Sequence, residues 1–447
     1  MAKKAWLRFL LPGVLILIVG VGLLVKFGIE RAAAEEVLAK FPDRGVPRMN
    51  ITLNGVTLDE INAGSKETKY EGNEVTIYEG DNATLEASGV RVKGRGNGSW
   101  NQEKKPYQIK FSSKVGLFGM GKAKKWVLLA NAADASNLRT EMAFLLEEML
   151  GMEYPLSGKF VEIYYNGDYE GLYYLTRGVE VDKRVVDLKD PMGVLAELDN
   201  LYWNSEIYYD SSNGDKLVVK DLKAKDNLDI AMNDFMLKYN ELEKAIKEKS
   251  FEEVKSIIDV ASFAKYYLLN EFIVNPDAYW TSFYMYKDGV EDVIHAGPGW
   301  DFDVAFGNRK WCNWQGEILY SPTQTMIRKR EFQSKDFYDE QGIENGYEAS
   351  IRISHLLYDL MDMPDFRDSV AMAFKEKMSG KKEEFVSFFL KRADEIEQLA
   401  RYDNEKWKKG DYDEEIRQMA EWIGARYDYF EEEYGDGHDE LEAKNKS

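Results

Sequence analysis

Two aspartates separated by one phenylalanine, Asp301 and Asp303, stand in GPGWDFDVAFGN at residues 297–308, where most neighbours are aromatic, aliphatic or small. Read as a strand, WDFDVAF projects both acids from one face, their side chains about 6–7 Å apart, and turns Phe302 into the core. Trp300, Val304 and Phe306 argue for burial, and a buried carboxylate needs a cation or several hydrogen-bond donors. A hard divalent ion with oxygen ligands meets that need, while two solvated acids on an exposed strand face are the plainer alternative. A second acid, Asp277, lies between helix-like and strand-like stretches in NEFIVNPDAYWTSFYMYKD, with Ser282 five residues on. Phosphoryl transfer uses such a pair: one acid accepts the hydroxyl proton and a nearby oxygen ligand helps to hold metal. Pro276-Asp277 as an ordinary turn is the competing reading.

Other chemistries lack their parts. Only three histidines occur, His295, His355 and His438, and the single cysteine, Cys312, has no histidine at metal-ligand or nucleophile spacing. Zinc hydrolysis and Ser/His/Asp catalysis are therefore excluded. Neither a Walker A segment nor GxGxxG is present, and GRGNGSW at residues 94–100 is either a phosphate-hugging loop or a turn between strands.

The elements that must position these residues fall into two kinds. Period-2 alternation predicts strands in MNITLNGVTLDEI, EVTIYEG, NATLEASGVRVKGRG, KPYQIKF, KKWVLLAN and GVLAELD. KFVEIYYNGDYEGLYYL predicts a hairpin turning at Asn166-Gly167. One helix interrupts them, SNLRTEMAFLLEEMLG, with Ser136 as its cap and Gly151 as its stop. Beyond residue 225 amphipathic helices dominate, apart from a short β pair in SFYMYKD and DVIHAGPGWDFDVAF. The expected architecture is α+β, with a β-rich front at residues 46–225, a helical back at 226–434 and the acids in the crevice between them. The polar tail, 435–447, reads as disordered.

The chain has 447 residues, 44% apolar and 13% aromatic, enough to bury a large core. Its net charge is −20, which disfavours nucleic acid and favours basic partners. Phe9–Val25 is a run of 17 uncharged, mostly apolar residues, roughly 25 Å long as a helix. Lys3, Lys4 and Arg8 before it favour residues 1–8 inside and the bulk outside: a single-pass cell-membrane protein with a stalk at 26–45. A cleaved signal peptide is the alternative, with Ala32–Ala34 as the cleavage region. One cysteine excludes an internal disulfide and suits a bacterial exterior.

Taken in order, RGNGSW, KKPYQIKF, WVLLANAADASNLRTEMAFLL, YYNGDYEGLYYL, NPDAYWTSFYMYKD and GPGWDFDVAFGN resemble the blocks of the CotH-type spore-coat kinase family. The late ARYDNEKW segment is similar too, so the resemblance covers residues 46–432. It implies a two-lobed atypical protein-kinase fold that binds ATP with Mg²⁺ or Mn²⁺ and phosphorylates Ser or Thr of a protein substrate, in a cell-surface or spore-envelope setting. By that pattern Asp277 is the catalytic acid that deprotonates the acceptor hydroxyl, Asp301 the metal ligand, and Asp303 and Ser282 auxiliary ligands. Lys110, on the strand after the glycine-rich segment, is the expected phosphate-contacting lysine, with Lys105 as the alternative and Glu141 as its acidic partner. Asn97 and Arg139 are further phosphate-site candidates. The acidic chain implies a basic Ser/Thr-containing substrate.

Two departures from the family pattern, Ser282 in place of Asn and Arg177 in place of an acid in LTRGVEVDK, keep open a catalytically weak or inactive scaffold of the same fold. A glycoside hydrolase, suggested by ten tryptophans and paired carboxylates, is the third class.

Overall fold

The computed structural model describes residues 35–308 and 354–435, apart from 38, 203, 204 and 206, together with 321–323 and 325. Seven strands form the first layer: β1 (Arg48–Thr52), β2 (Tyr70–Glu79), β3 (Asn82–Gly94), β4 (Tyr107–Gly116), β5 (Lys122–Leu129), β6 (Gly158–Tyr165) and β7 (Asp168–Thr176). They close into a barrel in the order β1-β2-β3-β4-β5-β7-β6. Closure comes from a parallel pairing of β1 with β6, Met49 lying opposite Ile163. Met49, Ile51, Val90, Ile109, Trp126, Ile163 and Tyr173 fill the interior. Strand β7 alternates two buried faces, Tyr173 and Leu175 into the barrel and Leu172 and Tyr174 into the second core. Burial on both faces is why GLYYL reads as an unbroken apolar run. The β6–β7 turn is the expected Asn166-Gly167, with φ of 53° and 91°.

Helix α1 (Leu58–Ala63) closes one barrel loop, and α2 (Arg139–Leu150) packs between the barrel and the rest. The start of α2 lies three residues after Ser136, whose hydroxyl accepts from Leu138 N, and Gly151 at φ 62° ends it. A separate five-stranded sheet follows: β8 (Val194–Leu198), β9 (Tyr208–Asp210), β10 (Lys216–Leu222), β11 (Phe283–Lys287) and β12 (His295–Ala296), in the order β12-β11-β8-β10-β9. Helices α3 (Leu228–Lys247), α4 (Phe251–Ile257), α5 (Val260–Ile273), α6 (Leu356–Met361), α7 (Pro364–Lys377), α8 (Lys382–Trp407) and α9 (Tyr412–Tyr434) complete the core around Phe272, Phe374, Phe385 and Phe430.

This corrects the expected two-lobed kinase-like fold. The front strands close into a barrel, and the remainder is built on its own sheet, with strands drawn from before and after α3 to α5. Strand periodicity marks where strands are and is silent about pairings as distant as β1 with β6. The single-pass membrane placement is corrected as well. Among the described residues no helix is long and apolar enough to cross a membrane. The longest, the 26-residue α8, has the length but is amphipathic and heavily charged. Residues 9–25, on which that expectation rested, lie outside the described residues, as do Cys312, His438 and the rest of the tail after Gly435.

Candidate active site

The site begins where α5 stops. Asp259 caps its start, accepting from Ser262 N at 2.6 Å. Its end is forced by Val274, a β-branched residue at φ 53°, an uncommon conformation that costs free energy. Asn275 locks the stop: its amide N–H donates to Asn270 O at 2.9 Å and its Nδ2 to Asn270 Oδ1 at 3.1 Å. The next four residues, Pro276–Tyr279, make one 3₁₀ turn that carries Asp277. The Asp277 carbonyl accepts from Trp280 N at 2.9 Å and Thr281 N at 2.7 Å, and Ser282, at φ 58°, turns the chain into β11.

The second segment corrects the local structure expected for WDFDVAF. Residues 297–308 are an irregular loop leaving β12, and no strand contains Asp301 or Asp303. The side-chain alternation nevertheless survives: Trp300, Phe302, Val304 and Phe306 are buried. Phe302 packs edge-on against Phe144 at 5.9 Å. The loop backbone is pinned from three sides. Arg139 Nε donates to Ala305 O at 2.9 Å, Asn308 Nδ2 to Asp303 O at 2.7 Å, and Phe306 N to Ile273 O at 2.7 Å. The last contact joins this loop to the end of α5 and so to Asp277. Asp301 sits at φ 66° and Phe306 at φ 52°. Four non-glycine residues in left-handed conformations around one site are a local cost that the packing holds in place.

Three carboxylates meet here. Asp277 and Asp303 are half-buried, and Asp301 keeps solvent access although protein surrounds it on most sides. Burial, then the charges of Asp301 and Asp303, hold Asp277 well above the usual carboxylate range. Burial and then Asp301 push Asp303 up to about 7. Burial raises Asp301 too, opposed first by Arg95, then by Lys220 and by a hydrogen bond with Ser282. Among the described residues none of the three acids forms an ion pair within 4.0 Å. A fourth acid, Asp199 at the end of β8, lies near Asp301 and accepts from Thr281 Oγ1 and Leu201 N, each at 2.8 Å.

Cations face these acids from two other elements. Arg95, just past β3, stacks over the Trp300 ring at 5.3 Å. Arg95 and Trp300 line a narrow cleft together with Ser99, Asn131, Thr140, Asp301 and Asp303. They also line a wider hollow together with Gln108, Lys125, Lys220 and Tyr284. Both share Arg95 and Trp300 as a wall.

The remaining sequence candidates are placed differently. Arg139 is buried beneath the loop, bound to Asp134 and, at 2.7 Å, to Glu415. Glu141 pairs with Arg392 at 3.0 Å, and no contact with Lys110 is formed. Lys110 lies on β4 between Arg91 and Lys125, outside both hollows. Lys105 Nζ donates to Trp100 O at 2.7 Å and Gln102 O at 3.2 Å, which folds the glycine-rich turn on itself. Asn97 Oδ1 accepts from Lys66 at 2.6 Å. The substituted Arg177 is buried over Trp126 and pairs with Glu180 and Asp182. His295 stacks on Tyr286 and has no part in the site.

Among the described residues no three of His, Cys, Asp and Glu converge tightly enough to hold a metal ion unaided. The donor set instead suits an ion that arrives on phosphates, since Mg²⁺ commonly takes one or two carboxylates and completes its shell with phosphate oxygens and water. Asp301 raises the pKa of both Asp277 and Asp303, a repulsion that a bound cation would relieve.

No curated protein matches the chain. Residues 90–430, which contain the glycine-rich turn, Asp277 and the acid loop, match a family described as CotH kinase protein. That match spans well over half of the sequence, and the chain belongs to the CotH kinase protein family.

Proposed function

We propose that this protein transfers the γ-phosphate of ATP to a Ser or Thr hydroxyl of a basic protein substrate. The observation that carries this reading is the convergence of Asp277 with Asp301 and Asp303, three acids from two segments in electrostatic reach of one another and, among the described residues, with no ion pair within 4.0 Å. Asp277 accepts the proton of the acceptor hydroxyl as its oxygen attacks the γ-phosphorus and the bond to the β-phosphate oxygen breaks, releasing ADP. Asp301 would hold Mg²⁺ or Mn²⁺, with Asp303 and the Ser282 hydroxyl as further ligands. When bound, the ion neutralises charge developing on the phosphates. Arg139 and Asn308 act at one remove, fixing the loop so that Asp301 and Asp303 keep their positions. The net charge of −20 favours lysine- or arginine-rich substrates and makes transfer weaken as salt rises.

The test is transfer of labelled phosphate from ATP, with Mn²⁺, to a serine-rich basic protein by the full chain and by Asp277→Asn. Loss of a positioned base lowers turnover by about 10²- to 10⁴-fold. Equal labelling by the two proteins overturns the proposal.

A further inference from the structure

The lysine expected from the barrel lies away from both hollows, and the second sheet supplies another in an unusual way. Strand β10 pairs with β8 through Leu217 with Leu198, Val218 with Glu197 and Val219 with Ala196, and then resumes with Asp221 opposite Leu195. Lys220 is the extra residue of a β-bulge. Bulges of this kind bend a strand and re-aim one side chain, and they gather beside active sites.

Here the re-aimed side chain lands on two neighbouring strands. Lys220 Nζ donates to Glu197 Oε2 of β8 at 3.0 Å and to the Tyr284 hydroxyl of β11 at 3.1 Å. Glu197 and Tyr284 are register partners. Glu197 is 8% exposed, so its carboxylate is a fixed anchor, whereas the lysine side chain is 37% exposed, with its charge open to the hollow. An ammonium has three protons, and these two acceptors take two of them. Arg95 and Trp300 stand on the same hollow, and Trp300 directly precedes Asp301. A salt bridge that served only to neutralise Glu197 would need no bulge and no opening to the cleft.

We propose that Lys220, held in place by Glu197, contacts the phosphates of the nucleotide from the second sheet, taking the part expected of Lys110. Glu197 is a positioning residue that acts through the lysine. The assignment rests on the kinase reading above and deepens it.

The experiment measures binding of ATP, ADP and adenosine to the full chain in the presence of Mn²⁺ by calorimetry. Lys220→Met is expected to weaken ATP and ADP by about 10- to 100-fold, the range for a lost charged hydrogen bond, and to leave adenosine unchanged. Glu197→Gln, which keeps the lysine charge, weakens ATP by less, and Lys220→Arg restores part of the loss. The double variant Lys220→Met, Glu197→Gln removes both charges together, so loss of ATP affinity in it reflects the phosphate contact and not an abandoned buried acid. Wild-type ATP affinity in that double variant overturns the assignment alone. No ATP binding by the wild type overturns the kinase reading and the assignment with it.

Discussion

Two charge clusters in this protein are built on opposite rules. At the junction of β7 with α8, Lys104 Nζ donates to both Asp403 oxygens, at 2.8 and 2.9 Å, and to Leu172 O at 2.6 Å. Asp403 also accepts from Leu172 N at 2.8 Å and pairs with Lys409 at 3.1 Å. Asp403 carries opposite charges on two sides, and its backbone around it is regular helix. At the other cluster Asp301 and Asp303 raise the pKa of Asp277, and Val274, Ser282, Asp301 and Phe306 around them hold left-handed backbone. Paired charge ties layers together, and raised carboxyls on strained backbone, with no ion pair among the described residues, are what the proposed binding reading rests on.

The comparison breaks hardest at the first cluster. Asp403→Ala leaves two buried ammonium groups facing each other, and removal of one partner from a buried pair costs about 3–5 kcal/mol. Denaturant unfolding is expected to show that loss, and a change within 1 kcal/mol would mean that the cluster is not a tie.

A pH scan separates the same cluster by a smaller amount. Burial first, then Lys406 and Lys104 in opposition, leave Glu170 raised to about 7 from 4.5. A carboxyl whose folded pKa lies above its unfolded value binds extra protons in the native state, so its contribution is full below about 4.5 and lost as pH climbs through 7. Stability falls across that window by up to about 1.4 kcal/mol per pH unit. Glu170→Gln flattens the slope, and an unchanged slope in the variant counts against the assignment.

Substitution in the acid cluster has the opposite sign to Asp403→Ala. Asp303→Asn removes one repelling charge and is expected to raise stability at pH 8 by about 1 kcal/mol once solvent screening is allowed for. The same substitution lowers phosphate transfer. A variant that is both less stable and fully active would erase the contrast between the clusters.

The sequence exposed the pieces of this site more readily than their arrangement. Asp277, Asp301 and Asp303 stand out because acids amid aromatic residues need a reason, and the apolar alternation around Phe302 is real although no strand carries it. Apolar alternation can come from a loop pinned to a core as well as from a pleat, and only the hydrogen bonds of Arg139, Asn308 and Phe306 distinguish them. The Asn166-Gly167 hairpin and helix α2 were legible because their signals are local. Barrel closure through β1 and β6 was not, since that pairing joins distant segments. Lys220 was missed for a similar reason. A lone lysine in KLVVKDL is a weak signal, and the one-residue register shift that aims it depends on β8. Arg95, inside GRGNGSW, is as visible as the lysines further along the chain, and only its stacking on Trp300 sets it apart.

If the acid cluster holds a nucleotide-borne divalent ion, thermal melting of the full chain with ATP alone, Mn²⁺ alone and the two together will register it. At about 100 times Kd a ligand of the native state adds ~2.7 kcal/mol. The expected result is a rise in melting temperature that requires both components and disappears in Asp301→Asn. An equal rise in that variant, or no rise in the wild type, contradicts the claim.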